Sequence, residues 1–326
     1  MPFAIRSILA DYGGVVAGSE EQWDLPVNPL SHVDVTLRAT MGPGLADVRW
    51  AELWDLVAEL EVAWRGATII GARGQDVAAL GYAMWTWLPV VYHGRYVNGH
   101  EWVTTLRVAF GRYPYWPEEM LPPVRRGELT LRIRWASAFG PFSGVSRLVE
   151  TTEVPDAQPR RFLKVTTLVH VPTATGPQDV DLPLGNPIVG VILRGANVRQ
   201  TSGGANTIEG VEVLVDNVEY WYTGARWDSL HQEFARRGPS GLWFSRAHEH
   251  RYDPTGTAVT FTDRAHQYGL DWLDRYAYLE FDPFTDPDLA WALHTAGRSR
   301  VHLRLTAGDT GEMRVLPIEV VRVPER

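Results

Sequence analysis

The chain has 326 residues, and its 31 basic against 39 acidic side chains, a formal charge of −8, withhold the broad positive field that a nucleic-acid-wrapping protein sets against phosphates. The absence of cysteine excludes disulfides, thiolate nucleophiles, zinc fingers and iron–sulfur clusters. No apolar run reaches the roughly 18 residues of a membrane helix, and the first residues lack the charged region and apolar core of a signal peptide, so a soluble, unprocessed chain is expected.

A prior of roughly 150 residues per domain suggests two units. Strand-like alternation dominates. Val33, Val35, Leu37 and Ala39 point one way, with Asp34, Thr36 and Arg38 between them. Trp50, Leu53, Trp54, Val57 and Leu60 have helical spacing and predict a small flanking helix. Strand phase returns at Leu60 and Val62, at Leu106/Val108/Phe110, at Leu129/Leu131/Ile133/Trp135 and along Leu163 to Val171. Further on it marks Val189 to Gly195, Ile208 to Asn217 and the stretch ending in Gly224-Ala225-Arg226; Asp228 then caps a predicted helix from Ser229 to about Arg237. Turn chemistry at Thr201 to Asn206 and Asp282 to Pro287 precedes a last strand at Val301/Leu303/Leu305.

Several of these segments recur in order. Asp24-Leu25-Pro26 returns as Asp181-Leu182-Pro183, displaced by 157 residues, and Val33 to Ala39 falls on Val189 to Gly195, displaced by 156. Gly71-Ala72-Arg73 falls on Gly224-Ala225-Arg226 at 153, which also lays Leu60 and Val62 on Val213 and Val215; Leu129 to Ile133 falls on Val301 to Leu305 at 172, with Phe110 on Phe281 at nearly that displacement. The expected organisation is a first unit over residues 1–150, a linker over 151–161, and a second unit over 162–326 with an inserted loop between 224 and 281. The competing organisation is one large sandwich whose strands look alike. Each unit has room for eight short strands, which in two Greek keys make a jelly roll, so the predicted fold is all-β, two tandem eight-stranded jelly rolls with short flanking helices.

Tandem rolls in a cysteine-free chain, each carrying Asp-Leu-Pro followed by a strand such as Val33-Asp-Val-Thr-Leu-Arg38 or Val189-Gly-Val-Ile-Leu-Arg194, together with Ile208 to Asn217, resemble the double jelly-roll major capsid proteins of tailless icosahedral viruses with an internal membrane. The resemblance implies a structural subunit of the virion shell that forms homotrimeric, pseudo-hexagonal capsomers. It implies as partners further copies in the lattice and the vertex, minor capsid or membrane proteins of the virion. No catalysis, cofactor, metal or direct nucleic-acid binding follows from it. A single lysine, Lys164, beside thirty arginines and only thirteen Asn and Gln residues suggests a GC-rich, thermophilic host.

Rival chemistry is weighed residue by residue. His248-Glu249-His250 puts two imidazoles on one strand face, as a metal-binding cupin would. The supporting glutamate and third histidine are missing, so solvated loop histidines are expected there. His93, His100, His231 and His266 are scattered, no Gly-x-Ser-x-Gly elbow places a catalytic serine, and Gly203-Gly204 reads as a hairpin. The rivals to a shell subunit are a bicupin-like or carbohydrate-active enzyme and a glycan-binding module. Aromatic turns at Tyr113-Pro-Tyr115-Trp116 and Trp221 to Trp227 suit either sugar stacking or subunit contacts, and the subunit reading is preferred. The expected interface residues are therefore Tyr113, Tyr115, Trp116, Trp221 and Trp227, with Arg132 and Arg134 as outward-facing rim charges.

Overall fold

Apolar alternation along the chain becomes seventeen named strands and three α-helices in a computed structural model that describes residues 3–43, 50–87, 89, 91, 98–199, 204–237 and 273–324. The first eight strands are β1 (Ile5–Gly14), β2 (Glu20–Asp24), β3 (Leu30–Met41), β4 (Val57–Trp64), β5 (Ala67–Ala72), β6 (Glu101–Ala109), β7 (Leu129–Trp135) and β8 (Phe142–Glu153). They form two sheets, β1-β8-β3-β6 and β2-β7-β4-β5. The remainder are β9 (Arg161–Thr166), β10 (Leu168–His170), β11 (Gly176–Asp181), β12 (Ile188–Gly195), β13 (Ile208–Val215), β14 (Val218–Arg226), β15 (Tyr276–Glu280), β16 (Val301–Ala307) and β17 (Met313–Arg322). These repeat the same order, with β9 and β10 beside β17, then β12 and β15, and with β11-β16-β13-β14 opposite. The fold is the expected double jelly roll. The first strand of the second roll is broken at Thr167, whose N–H and hydroxyl both turn to the Gly71 carbonyl.

The repeat is visible atom by atom. Leu25 of the first Asp-Leu-Pro donates its N–H to the Leu129 carbonyl at 2.9 Å, and Leu182 of the second donates to Val301 at 2.8 Å. Leu30 and Leu121 exchange backbone hydrogen bonds, as do Ile188 and Leu293. Both rolls carry a bulge at one place, between Leu30 and His32 and between Ile188 and Gly190. Beside it Asn28 donates to Glu153 and Asn186 to Glu319, each at 2.8 Å. These pairs fix the β3-to-β12 displacement at 158 residues, two more than the sequence match of Val33 with Val189. A shift of two leaves every side chain on its face, so alternation alone cannot choose between the registers.

Three local expectations are corrected. The break between halves does not begin at residue 151, because β8 pairs Thr151 and Thr152 with Ser7 and Arg6 and runs to Glu153, which leaves 154–160 as the connection. The helical spacing from Trp50 gives only α1 (Trp50–Trp54), since Val57 already opens β4. A twelve-residue helix, α2 (Gly74–Trp85), escapes periodicity because ten of its residues, Gly74 to Ala83, are buried all round. The helix expected after Asp228 is α3 (Trp227–Ala235), which starts two residues earlier than read and has no side-chain cap.

The two rolls are not independent sandwiches. Inward residues of the second, such as Val191, Leu193, Val213 and Leu303, make their own core, whereas Val189, Ile192, Leu316, Ile318 and Val320 join the core of the first. β12 and β17 are thus buried on both faces, which explains why each reads as a near-continuous apolar run. Gly190 is needed there, since a Cβ would stand 2.2 Å from the Tyr278 hydroxyl.

Candidate assembly surfaces

Among the described residues, contacts at three levels help to lock roll to roll. At the strand level β5 pairs in parallel with β9, Ile70 opposite Val165 and Gly71 opposite Thr166, so sheets of both rolls become one nine-stranded sheet. At one end Arg112 reaches from the loop after β6 to the loop after β15: its Nε donates to Glu119 at 2.9 Å, and its Nη1 donates to Asp282 Oδ2 at 2.6 Å and to the Asp286 carbonyl at 2.8 Å. Between the sheets, Asp76 on α2 accepts from the Tyr276 hydroxyl at 2.7 Å and pairs with Arg314 of β17 at 3.0 Å. Burial raises the Asp76 carboxyl above its ordinary range and lowers the Arg314 guanidinium below its own. At the rim of this cluster Arg73 adds an exposed pair to Glu312 at 3.1 and 3.2 Å.

The aromatic residues singled out in the sequence divide into three situations. Tyr113 and Tyr115 are each 51% exposed on the loop after β6, and Trp116 lies between Tyr113 and the Arg112 guanidinium. Trp221 in β14 is 45% exposed and meets Trp291 edge-on at 6.3 Å, while Trp291 in turn meets Phe284. Trp221 holds a left-handed φ of 58°, a costly conformation for a bulky residue. Trp227 is not a surface anchor. As the first residue of α3 its ring turns inward to the core of the second roll and is 3% exposed. Arg132 and Arg134 do face outward, but Arg132 is paired with Glu61 and Arg134 with Glu59 across β7 and β4. They are charges on an already matched face.

A Ser-His-Asp cluster does form, at Ser31, His32 and Asp34, although no motif announced it. Ser31 Oγ lies 3.0 Å from His32 Nδ1, and His32 Nε2 lies 3.8 Å from Asp34 Oδ2. All three residues are buried, the serine oxygen already accepts the Tyr115 N–H, and both Asp34 oxygens accept from Arg107 at 2.8 Å. A nucleophile must be reachable by substrate, and this hydroxyl is not. The cluster's consequence is for stability. Burial, reinforced by Arg107 and Arg6 against Asp34, lowers the His32 pKa from 6.5 to about 4. The unfolded chain therefore binds a proton here that the folded chain refuses, so this contribution is complete above pH 6.5 and is lost as pH falls toward 4, by about 3 kcal/mol. Urea unfolding of the wild type and of His32→Gln across that window is expected to show the steeper decline in the wild type; equal slopes would remove His32 as the cause.

Among the described residues no group of three His, Asp or Glu side chains is placed to hold a metal ion. His248, His250, His93 and His266 lie outside the described residues. His231 donates from Nδ1 to the Tyr276 carbonyl at 3.0 Å. Of the residues that join the rolls, Arg112, Glu119, Asp76 and Arg314 were not singled out in the sequence, and Asp282 was read only as the start of a turn. The duplicated Asn-Pro pairs at Asn28-Pro29 and Asn186-Pro187 were a readable signal that was passed over, for they place the two asparagine–glutamate bonds.

No protein-family model matches the chain, and no curated protein matches it. Solved structures do. The chain is similar to the major capsid protein of the Sulfolobus turreted icosahedral virus, with 16% identity and a TM-score of 0.65 over 98% of this chain and 97% of that one. It is similar to the major capsid protein P2 of bacteriophage PM2 at 11% identity and a TM-score of 0.59, covering 99% of both chains. It is also similar to the capsid of PBCV-1 at 10% identity and a TM-score of 0.61, covering 99% of this chain and 94% of that one. At such identities the likeness establishes the shared double jelly-roll fold.

Proposed function

We propose that this chain is a structural subunit of an icosahedral viral shell, that it assembles as a homotrimeric capsomer, and that it resides in the virion. The observation that carries this reading is end-to-end similarity: the chain superposes on capsid proteins over nearly the whole length of each. The two units, 1–153 and 161–326, present similar flanks, so three copies offer six similar edges and one protein can tile a hexagonal lattice with closed contacts. Its partners are further copies of itself and the vertex, minor capsid and membrane proteins of the particle. It carries out no catalysis and needs no cofactor. The excess of carboxylates, 39 against 31 basic groups, keeps it off nucleic acid.

Light scattering coupled to size exclusion tests the reading. Three chains of 36.6 kDa are expected to elute as a species of about 110 kDa at micromolar concentration, because capsomer contacts of this class commonly bury upwards of about 2,000 Å². A strictly monomeric species at tens of micromolar that is retained on a glycan column would overturn it in favour of a sugar-binding protein.

A further inference from the structure

Within the chain, β9 is flanked by β17 on one side and by β5 on the other. Its counterpart in the first roll, β1, pairs only with β8, and the counterpart of β5 in the second roll, β14, pairs only with β13. Among the described residues six strands end a sheet, β1, β2, β6, β11, β14 and β15, and of these β1 and β14 are the two whose equivalents in the other roll are joined to each other. Both edges carry apolar side chains in the open. Along and beside β1 these are Phe3, Ile5, Ile8, Tyr12 and Val16, and β14 shows Val218, Tyr220 and Trp221. A ten-residue apolar edge strand left bare is an aggregation site, which proteins cover or blunt.

The duplicated hydrogen bonds give the register. Glu153 and Glu319 occupy one place in the two rolls; Glu153 pairs with Ile5 and Glu319 with Lys164. Arg6 therefore stands where Val165 stands, Ser7 where Thr166 stands, and Phe3 where Phe162 stands. On the other strand, Leu129 corresponds to Val301, so the Glu61–Arg132 pair corresponds to Glu212–Arg304. Glu61 pairs with Gly71 and Glu212 with Thr223, which sets Tyr222 and Thr223 in the places of Ile70 and Gly71. Gly224, at φ 95°, is the extra residue of a bulge, and it accounts for the displacement of 153 read from the sequence at Gly71.

We propose that the edge of β14 in one copy pairs in parallel with the edge of β1 in a second copy, Tyr222 and Thr223 alongside Arg6 and Ser7, repeating between chains the β5–β9 junction found within each. The proposal rests on the capsomer reading and specifies its contact. Phe162 meets Trp64 edge-on at 5.6 Å inside the chain; the neighbour's Phe3, which is 53% exposed, takes the same seat against Val215, the counterpart of Trp64. The faces behind the two junctions differ. The second roll turns Ile192, Leu316 and Ile318 to the first, whereas the equivalent face of β3 and β8 carries Asp34, Thr36 and Glu150. Asp34 and Thr36 are already buried within the single chain, so what this side of β1 leaves for a partner to meet is the half-exposed Arg6 paired with Glu150. A head-to-tail contact of this kind uses two different patches on each copy and closes into a ring when its rotation allows.

Because the chain contains no cysteine, the contact can be read by cross-linking. Ser7→Cys and Thr223→Cys are made as separate, differently tagged chains and co-expressed, and the assembled protein is treated with a short bismaleimide. The expected result is a covalent dimer carrying both tags, with either variant alone remaining monomeric on a denaturing gel. The chain bearing both cysteines is expected to give a covalent trimer and no longer ladder. Phe3→Asp, at a position exposed in the single chain, is expected to keep the monomer's melting temperature and to weaken association at least about tenfold. A trimer by light scattering without the mixed cross-link, or with Phe3→Asp associating as the wild type does, would overturn the edge pairing and leave the capsomer standing. Monomers alone would remove the capsomer reading itself.

Discussion

Replacing Arg112 by alanine is expected to lower the unfolding free energy by about 3–5 kcal/mol, the usual cost of leaving buried carboxylates without their cation. The side chain is 1% exposed, and Glu119 and Asp282 are each 2% exposed. Burial pulls the guanidinium toward neutrality, and the bonds to Glu119 and Asp282 outweigh it, leaving its pKa above the ordinary value. Loss of the arginine also removes its bonds from the loop after β6 to Asp282 and Asp286 in the loop after β15, and leaves Glu119 with Arg161 at 3.9 Å as a nearby cation. Arg134→Ala supplies the contrast. Its partner Glu59 is 42% exposed, and removal of such a surface pair is expected to change stability by no more than about 1 kcal/mol. Urea denaturation of the two variants beside the wild type measures both, and equal effects would show that the buried network is no stronger than the surface pair.

A second large effect is expected at the pair between α2 and β17. Asp76→Leu leaves the Arg314 guanidinium, 2% exposed, without its counter-charge, and is expected to destabilise by about 3–5 kcal/mol. Asp76 Oδ2 and Arg314 Nε already lack hydrogen-bond partners among the described residues, so the pair is incompletely satisfied even when intact. Adding Arg314→Leu to Asp76→Leu is therefore expected to recover most of the loss, because the double variant buries two apolar side chains and no charge. A double-mutant cycle by chemical denaturation measures the coupling. Additive losses in the double variant would mean that each group is held by something other than its partner.

The sequence disclosed the architecture more readily than it disclosed the joints. Leu25 and Leu182, read as parts of a repeated tripeptide, perform one act, each donating to the first residue of its partner strand. The strand faces at Leu129 to Ile133 and Val301 to Leu305 emerged with their expected phase because burial on one side of a pleated strand forces alternation. Register was harder. Val33 laid on Val189 is two residues off, and only the bulge and the Asn28 and Asn186 bonds settle it. Long-range polar joints leave no local trace. Arg112 and Asp282 stand 170 residues apart and Asp76 and Tyr276 stand 200 apart, so neither pair falls within any periodic window. Trp227 misled for a related reason: turn-like surroundings suggested exposure, whereas the residue opens a helix and faces inward.

The parallel pairing of β5 with β9 also orders events during synthesis. Ile70 and Val165 are 95 residues apart, and at about 5–20 residues per second the ribosome needs roughly 5–20 s to deliver the second after the first. Through that interval the nascent first roll displays β5 with one flank unclaimed, and the strand that claims it is the next roll's first. The emerging chain is its own guard: the second roll begins by capping the first, and a ribosome stalled between the two would release a half-protein with that flank bare.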